Sequence, residues 1–255
     1  AIDRVFTRCA ADTACNHRFP ALAESFADLV AALRTEPVIV STPDPNTGRH
    51  EDITLGRDEF AAALRLLAYH PSTIALLPLL IHEAATGNWV PLASQYRMTS
   101  VSLSESIFIG MHNAVVCSED VPFYDRAAFD TDGLASSYIG PVQLEAIETI
   151  CSVWPPGPVD DEFKVPLETS TPFLLLSGDA DPITPPRYAE LAAVDLGNAL
   201  HLIGKGQGHG QLSVGCMPNL LDEFVTGADP GAIDAGCLER AFVMPFFLDF
   251  SGPQP

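Results

Sequence analysis

The chain has 255 residues, 47% of them hydrophobic and 18% charged, a balance that describes a folded globular protein and excludes a disordered one. Its 13 Lys and Arg stand against 33 Asp and Glu, a formal charge of −20. That argues against nucleic acid or an anionic membrane as partner, since phosphate recognition needs basic patches; it is compatible with a substrate that carries a positive amine, though such acidity more often serves solubility.

In chain order, residues 1 to about 165 read as mostly helical. Ala21, Leu22, Phe26, Leu29, Val30 and Leu33 form one apolar face that closes near Arg34-Thr35-Glu36-Pro37. Val38-Ile39-Val40 and Ile53-Thr54-Leu55 predict a hairpin around the turn-rich Pro43 to Gly48. Phe60 to Tyr69 and Ile74 to Ala85 predict two helices broken at His70-Pro71. The longest apolar run, Ile74 to Ile81, is interrupted by Pro78 and too short to span a bilayer. A helix is expected from Val101 to about Val116, with Met111 and His112 on its core side. Asp130 to Gly133 predicts an exposed loop, and Val142 to Val153 another helix. Phe173-Leu174-Leu175-Leu176 suits a strand buried on both faces. Pro185-Pro186 then opens a helix carrying Tyr188, Leu191, Ala192 and Leu196, and Leu200, Leu202 and Ile203 make the next strand. Cys216 to Val225 predicts the last helix, and Phe246 to Phe250 is apolar enough to need burial.

Six cysteines allow fifteen pairings. The expected set is Cys9 with Cys15, Cys117 with Cys151, and Cys216 with Cys237, because each closes a short loop and none is left over. An even, pairable count points to an oxidising compartment, with free buried thiols in a cytosolic protein as the alternative. No C-x-x-C pair is present, so no zinc site follows from the cysteines. His82-Glu83 has Thr86 where H-E-x-x-H needs its second histidine, and Gly204 to Gly208 matches neither a dinucleotide fingerprint nor a P-loop. No metal and no cofactor is expected.

The chemistry concentrates between Thr171 and Gly210. Two strands joined by a helix place Asp181 and His209 just past the C-terminal ends of sequential strands, the edge where open parallel sheets gather catalytic groups. A histidine acting as general base needs its other ring nitrogen held by a carboxylate, which fixes the tautomer and stabilises the imidazolium. The alternative is an ordinary turn aspartate and loop histidine.

SGDADPITPP followed by GQGHG resembles the acid turn and histidine loop of the α/β-hydrolase fold. Together with GMHNAVVCSEDVPF (Gly110 to Phe123), CSVWPPGPV (Cys151 to Val159) and GQGHGQLSVGCMPNLLDEFV (Gly206 to Val225), it is similar to the tripeptidyl-aminopeptidase and proline-iminopeptidase-like serine peptidases. The resemblance implies an α/β fold in which residues 1–165 are a mostly helical lid and residues 166–255 the C-terminal part of the hydrolase core. It makes Asp181 the triad acid and His209 the base. Glu119 and Asp120 become candidates for anchoring a free amino terminus, a carboxylate pair being suited to an ammonium, with a helix cap or a solvated turn as the alternative. Trp89 and Trp154 are expected at lid–core packing, with pocket lining as the alternative.

One departure stands out. The family carries its nucleophile in a G-x-S-x-G elbow ahead of the acid and histidine, and that motif occurs nowhere in the chain. Ser104, Ser106 and Ser177 precede Asp181 but lack the flanking glycines. The expectation is therefore a C-terminal piece of a secreted or periplasmic aminopeptidase, inactive alone, whose N-terminal part and any signal peptide lie before Ala1. An esterase on the same fold and a nucleophile-less binding protein are the alternatives; small peptides or esters are the expected ligands.

Overall fold

The structure of the protein is a computed structural model that describes residues 1–240 and 242–253. In its first half, α1 (Ile2–Ala11), α2 (Thr13–Arg18) and α3 (Leu22–Leu33) precede a hairpin of β1 (Val38–Pro43) and β2 (His50–Leu55). Four helices follow: α4 (Arg57–Leu67), α5 (Pro71–Ala85), α6 (Val90–Ser106) and α7 (Ile109–Glu119). The second half carries α8 (Thr131–Ser136), α9 (Val142–Val153), β3 (Phe173–Gly178), α10 (Pro186–Ala192), β4 (Ala199–Gly204) and α11 (Met217–Gly227). It closes on β5 (Phe247–Asp249) and β6 (Gly252–Pro253). The architecture is mixed α/β and mostly helical. Among the described residues there are three two-stranded sheets rather than one larger hydrolase sheet.

These elements sort into two compact units, Ala1–Phe26 with Leu67–Asn88 and Pro166–Pro255, and Ala27–Leu66 with Trp89–Val165. Helices α1, α2 and α5 thus group with β3 and β4. The reason is visible in α5. It is apolar around its circumference and buries Ile74, Leu77, Leu79, Leu80 and Ile81, as a helix inside a core must. It packs on α1 and β5. His70 caps its start, with Nδ1 3.3 Å from the Ser72 amide, and Pro71 fits the first turn, where no amide hydrogen is needed.

In the first unit, α1 buries Ile2, Val5 and Cys9, and the Cys9–Cys15 disulfide ties it to α2. β3 and β4 run parallel, in register from Phe173 opposite Ala199 to Gly178 opposite Gly204, with α10 as the crossover packed on both. Leu202, Met217 and Leu220 form the buried centre beside them, with Leu174, Leu176 and Leu200 around it. The Cys216–Cys237 disulfide pins the start of α11 to the turn over Ala235–Arg240. Phe173 to Leu176 are only half-buried, not covered on both faces, because the sheet stops at two strands. Helix α10 ends at Ala192, earlier than its spacing predicts, and Tyr188 and Leu191 are exposed. Of the apolar tail, Phe246 is buried and Phe250 exposed.

In the second unit, β1 and β2 pair antiparallel from Val38 opposite Leu55 to Pro43 opposite His50. Val40, Leu55 and Ala93 make its core, with Trp89 and Tyr96 packed against them, so Trp89 serves the hairpin. The helix expected over Val101–Val116 is two helices. Ile107, with φ −101° and ψ 121°, breaks the chain after Ser104 and Ser106 have turned their hydroxyls onto the Val101 and Leu103 carbonyls. As a result Met111 and His112 are exposed rather than in the core. Asp130 is a cap rather than part of a loop: its carboxylate accepts the Gly133 amide at 2.8 Å and starts α8. The Cys117–Cys151 disulfide joins α7 to α9. No cysteine is left free, and closing a loop of that length stabilises the fold by about 3–4 kcal/mol on the chain-entropy account. No helix among the described residues is long and apolar enough to cross a membrane.

Candidate active site

The turn after β3 begins at Gly178, where the chain has no room for a side chain: a Cβ would lie 2.2 Å from the Gly208 carbonyl oxygen. Acid turn and histidine loop are thereby brought into backbone contact. The Asp179 amide donates to the Gly204 carbonyl (3.1 Å) and the Ala180 amide to the Gln207 carbonyl (3.0 Å). The Asp179 carboxylate accepts the Gly206 amide at 2.6 Å.

Asp181 sits at the centre. Its Oδ1 accepts the amides of Ile183 (2.7 Å) and Thr184 (3.0 Å), and its Oδ2 accepts the Thr184 hydroxyl (3.0 Å). His209 Nδ1 lies 2.9 Å from the same Oδ2. Burial, the largest single influence, pushes the Asp181 carboxyl up. The Ile183 amide, His209 and both Thr184 groups together outweigh it and hold the carboxyl below its ordinary value. An ionised carboxylate can only accept, so the proton between them belongs to Nδ1, and in the neutral imidazole Nε2 then carries the lone pair. Among the described residues no group bonds Nε2. The imidazole is 40% exposed and the Asp181 side chain 3%, so the carboxylate is shielded while the ring faces outward.

The histidine loop is held from a part of the chain that sequence reasoning assigned no such role. The His209 amide donates to the Tyr69 carbonyl at 2.8 Å, and the two rings meet edge to face with centroids 5.3 Å apart. A Cβ on Gly208 would lie 2.3 Å from that same carbonyl, so only glycine permits the approach. Gly210, with φ +88°, lets the chain turn away. Below, Gln211 Nε2 donates to the Gly208 carbonyl at 2.9 Å. The only hint in the sequence was the helix break at His70-Pro71.

Of the other expected site residues, Glu119, Asp120, Ser104 and Ser106 lie in the second unit and Ser177 in the first. Glu119 ends α7 half-buried; Asp120 is exposed, 3.9 Å from the Lys164 ammonium. Ser104 and Ser106 are tied to the backbone of α6. Ser177 is buried, its Oγ 2.9 Å from His201 Nε2, which gives His201 a partner that the sequence did not suggest. His82 Nε2 lies 3.0 Å from Arg18 Nη1.

A parallel strand–helix–strand here presents a buried aspartate to the Nδ1 of an outward-facing histidine, the arrangement that general-base chemistry requires. Residues 136–237, which include both side chains, match the family described as TAP-like protein. Over that segment the chain is similar to the TAP-like C-terminal domain of α/β-hydrolases. No curated protein and no solved structure matches the chain.

Proposed function

We propose that Asp181 and His209 are the acid and base of a secreted or periplasmic serine exopeptidase that cleaves short peptides from a free N-terminus. In this reading a serine in a G-x-S-x-G elbow, outside these 255 residues, attacks the carbonyl. His209 Nε2 takes its proton and returns it to the leaving amine, while Asp181 holds Nδ1–H and stabilises the imidazolium. The observation that carries it is the 2.9 Å contact from Nδ1 to a carboxylate saturated by three further donors, with Nε2 left open. The pairing of all six cysteines supports an oxidising compartment.

The lid role of the helices before residue 166 belongs to the same proposal, as does amine anchoring by Glu119. Glu119 is a better anchor than Asp120, which already faces Lys164. The absence of the elbow motif favours a second reading, a binding protein built on the hydrolase scaffold.

Peptide anilides with a free amine, the same anilides with a blocked amine, and simple acyl esters separate these readings. The chain alone should turn over none of them. The protein that carries the elbow together with these residues should hydrolyse free-amine anilides best, and Glu119→Ala should raise their KM while leaving esters unaffected. Preference for esters makes it an esterase, and no turnover of any substrate leaves the binding protein.

A further inference from the structure

Beside the acid turn, within the first unit, lies a cavity of about 370 Å³, at the lower end of the ~300–1,000 Å³ typical of small-molecule pockets. Val5, Ile74, Ala180 and Val243 give it apolar walls. Arg8, in the last turn of α1, also lines it, with its guanidinium carbon 3.9 Å from the centroid of the Phe246 ring. Arg8 Nη2 is buried and has no hydrogen-bond partner among the described residues. A buried charged donor left unpaired is costly, so the position calls for an acceptor.

The neighbouring carboxylates do not supply one. Asp179 gives Oδ1 to the Gly206 amide and has Oδ2 3.4 Å from Arg4 Nη1; Asp12 caps α2 through the Cys15 amide. Burial lowers the Arg8 pKa more than those two carboxylates raise it, which agrees with a cation that has no close acid. Arg4 and Lys205 also line the cavity, so three cations face one carboxylate there, in a chain that carries 13 Lys and Arg against 33 Asp and Glu.

We propose that this cavity binds a small monocarboxylate with an apolar tail, the carboxylate accepting from Arg8 Nη2 and the tail lying along Val5, Ile74, Ala180 and Val243. A single charge fits better than a phosphate dianion. One buried nitrogen is unpaired, the walls are largely apolar, and Asp179 would repel a second charge. The site shares no side chain with Asp181 or His209, so it stands whether or not the hydrolase reading holds.

Calorimetric titration of the protein with octanoate, 1-octanol and acetate tests it. Octanoate should bind saturably at one site, 1-octanol at least tenfold more weakly, and acetate without saturation. Arg8→Met should weaken octanoate at least tenfold and leave 1-octanol unchanged; Ala11→Trp, at the cavity wall, should block both. N-acetyl-leucine distinguishes the source: tighter binding than octanoate assigns the site to a peptide carboxyl end, weaker binding to an acyl chain. Equal binding of octanoate and octanol, no saturable octanoate binding, or octanoate binding that Arg8→Met leaves intact overturns the proposal. If circular dichroism shows that Arg8→Met fails to fold, the octanoate–octanol comparison on the unaltered protein and the Ala11→Trp result decide.

Discussion

The two units contain the same short turn, put to different ends. Asp44-Pro45-Asn46-Thr47 in the hairpin and Asp181-Pro182-Ile183-Thr184 after β3 share the pattern D-P-x-T. In both, Oδ1 accepts the amides two and three residues on: 3.1 and 2.7 Å for Asp44, 2.7 and 3.0 Å for Asp181. In both, the threonine hydroxyl donates back to the carboxylate. The fourth donor separates them. Asp44 Oδ2 takes Arg97 Nη2 at 2.8 Å, a cation that also bonds Glu51 and pins the hairpin to α6. Asp181 Oδ2 takes an imidazole, a base that can accept and release a proton at neutral pH. The turn orients the carboxylate in both; the fourth donor is a fixed cation in one and a titratable ring in the other.

The sharpest way to break this comparison is to neutralise both acids. Asp181→Asn in the elbow-bearing protein should lower kcat/KM by about 10⁴, because the amide favours the wrong histidine tautomer. Asp44→Asn should lower the melting temperature and change kcat/KM by no more than about twofold. Equal losses from the two would mean that Asp181, too, only orders its turn.

Gly208→Ala should rank next. Its Cβ would meet the Tyr69 carbonyl and push the loop that carries His209, and a displacement near 1 Å costs about 10²-fold in rate. Circular dichroism should stay native while turnover falls.

Thr184→Val should be milder, removing one of four donors to a buried carboxylate and destabilising the fold by about 1.5–3 kcal/mol in urea unfolding. Thr47→Val, in the hairpin turn, should cost less, since Asp44 keeps its guanidinium partner.

The smallest effect is on acid stability. The Asp181 carboxyl is held below its ordinary value in the fold, so its contribution is present near neutral pH and is lost as pH falls from about 4 through the depressed folded value. The stability difference between the parent protein and Asp181→Asn should narrow over that range; a difference constant with pH would mean that the carboxyl is not shifted.

The asymmetry between these turns also explains what could be read from residue order alone. Asp181 and His209 were legible because each follows an apolar strand closely and the strands are neighbours. The three disulfides were legible because short loops bring their ends together at small entropic cost. The Tyr69 carbonyl under His209 was not, since a backbone acceptor far back in the chain leaves no signature in composition or spacing. Nor was the grouping of α1, α2 and α5 with the later strands: an apolar face says that a helix is buried, not against what. The break at Ile107 went unseen because apolar periodicity runs across it, while serine hydroxyls compete locally for the helix carbonyls.

The amide of His209 is anchored not within its own loop but on the carbonyl of Tyr69, in the link that joins α4 to α5. The imidazole is therefore moored to a connection between helices, the kind of segment that frays before a core melts. Warming should loosen this mooring while the disulfide-tied remainder is still intact, so the proposed catalyst would fall silent at a temperature where its spectrum still looks folded, and recover on cooling.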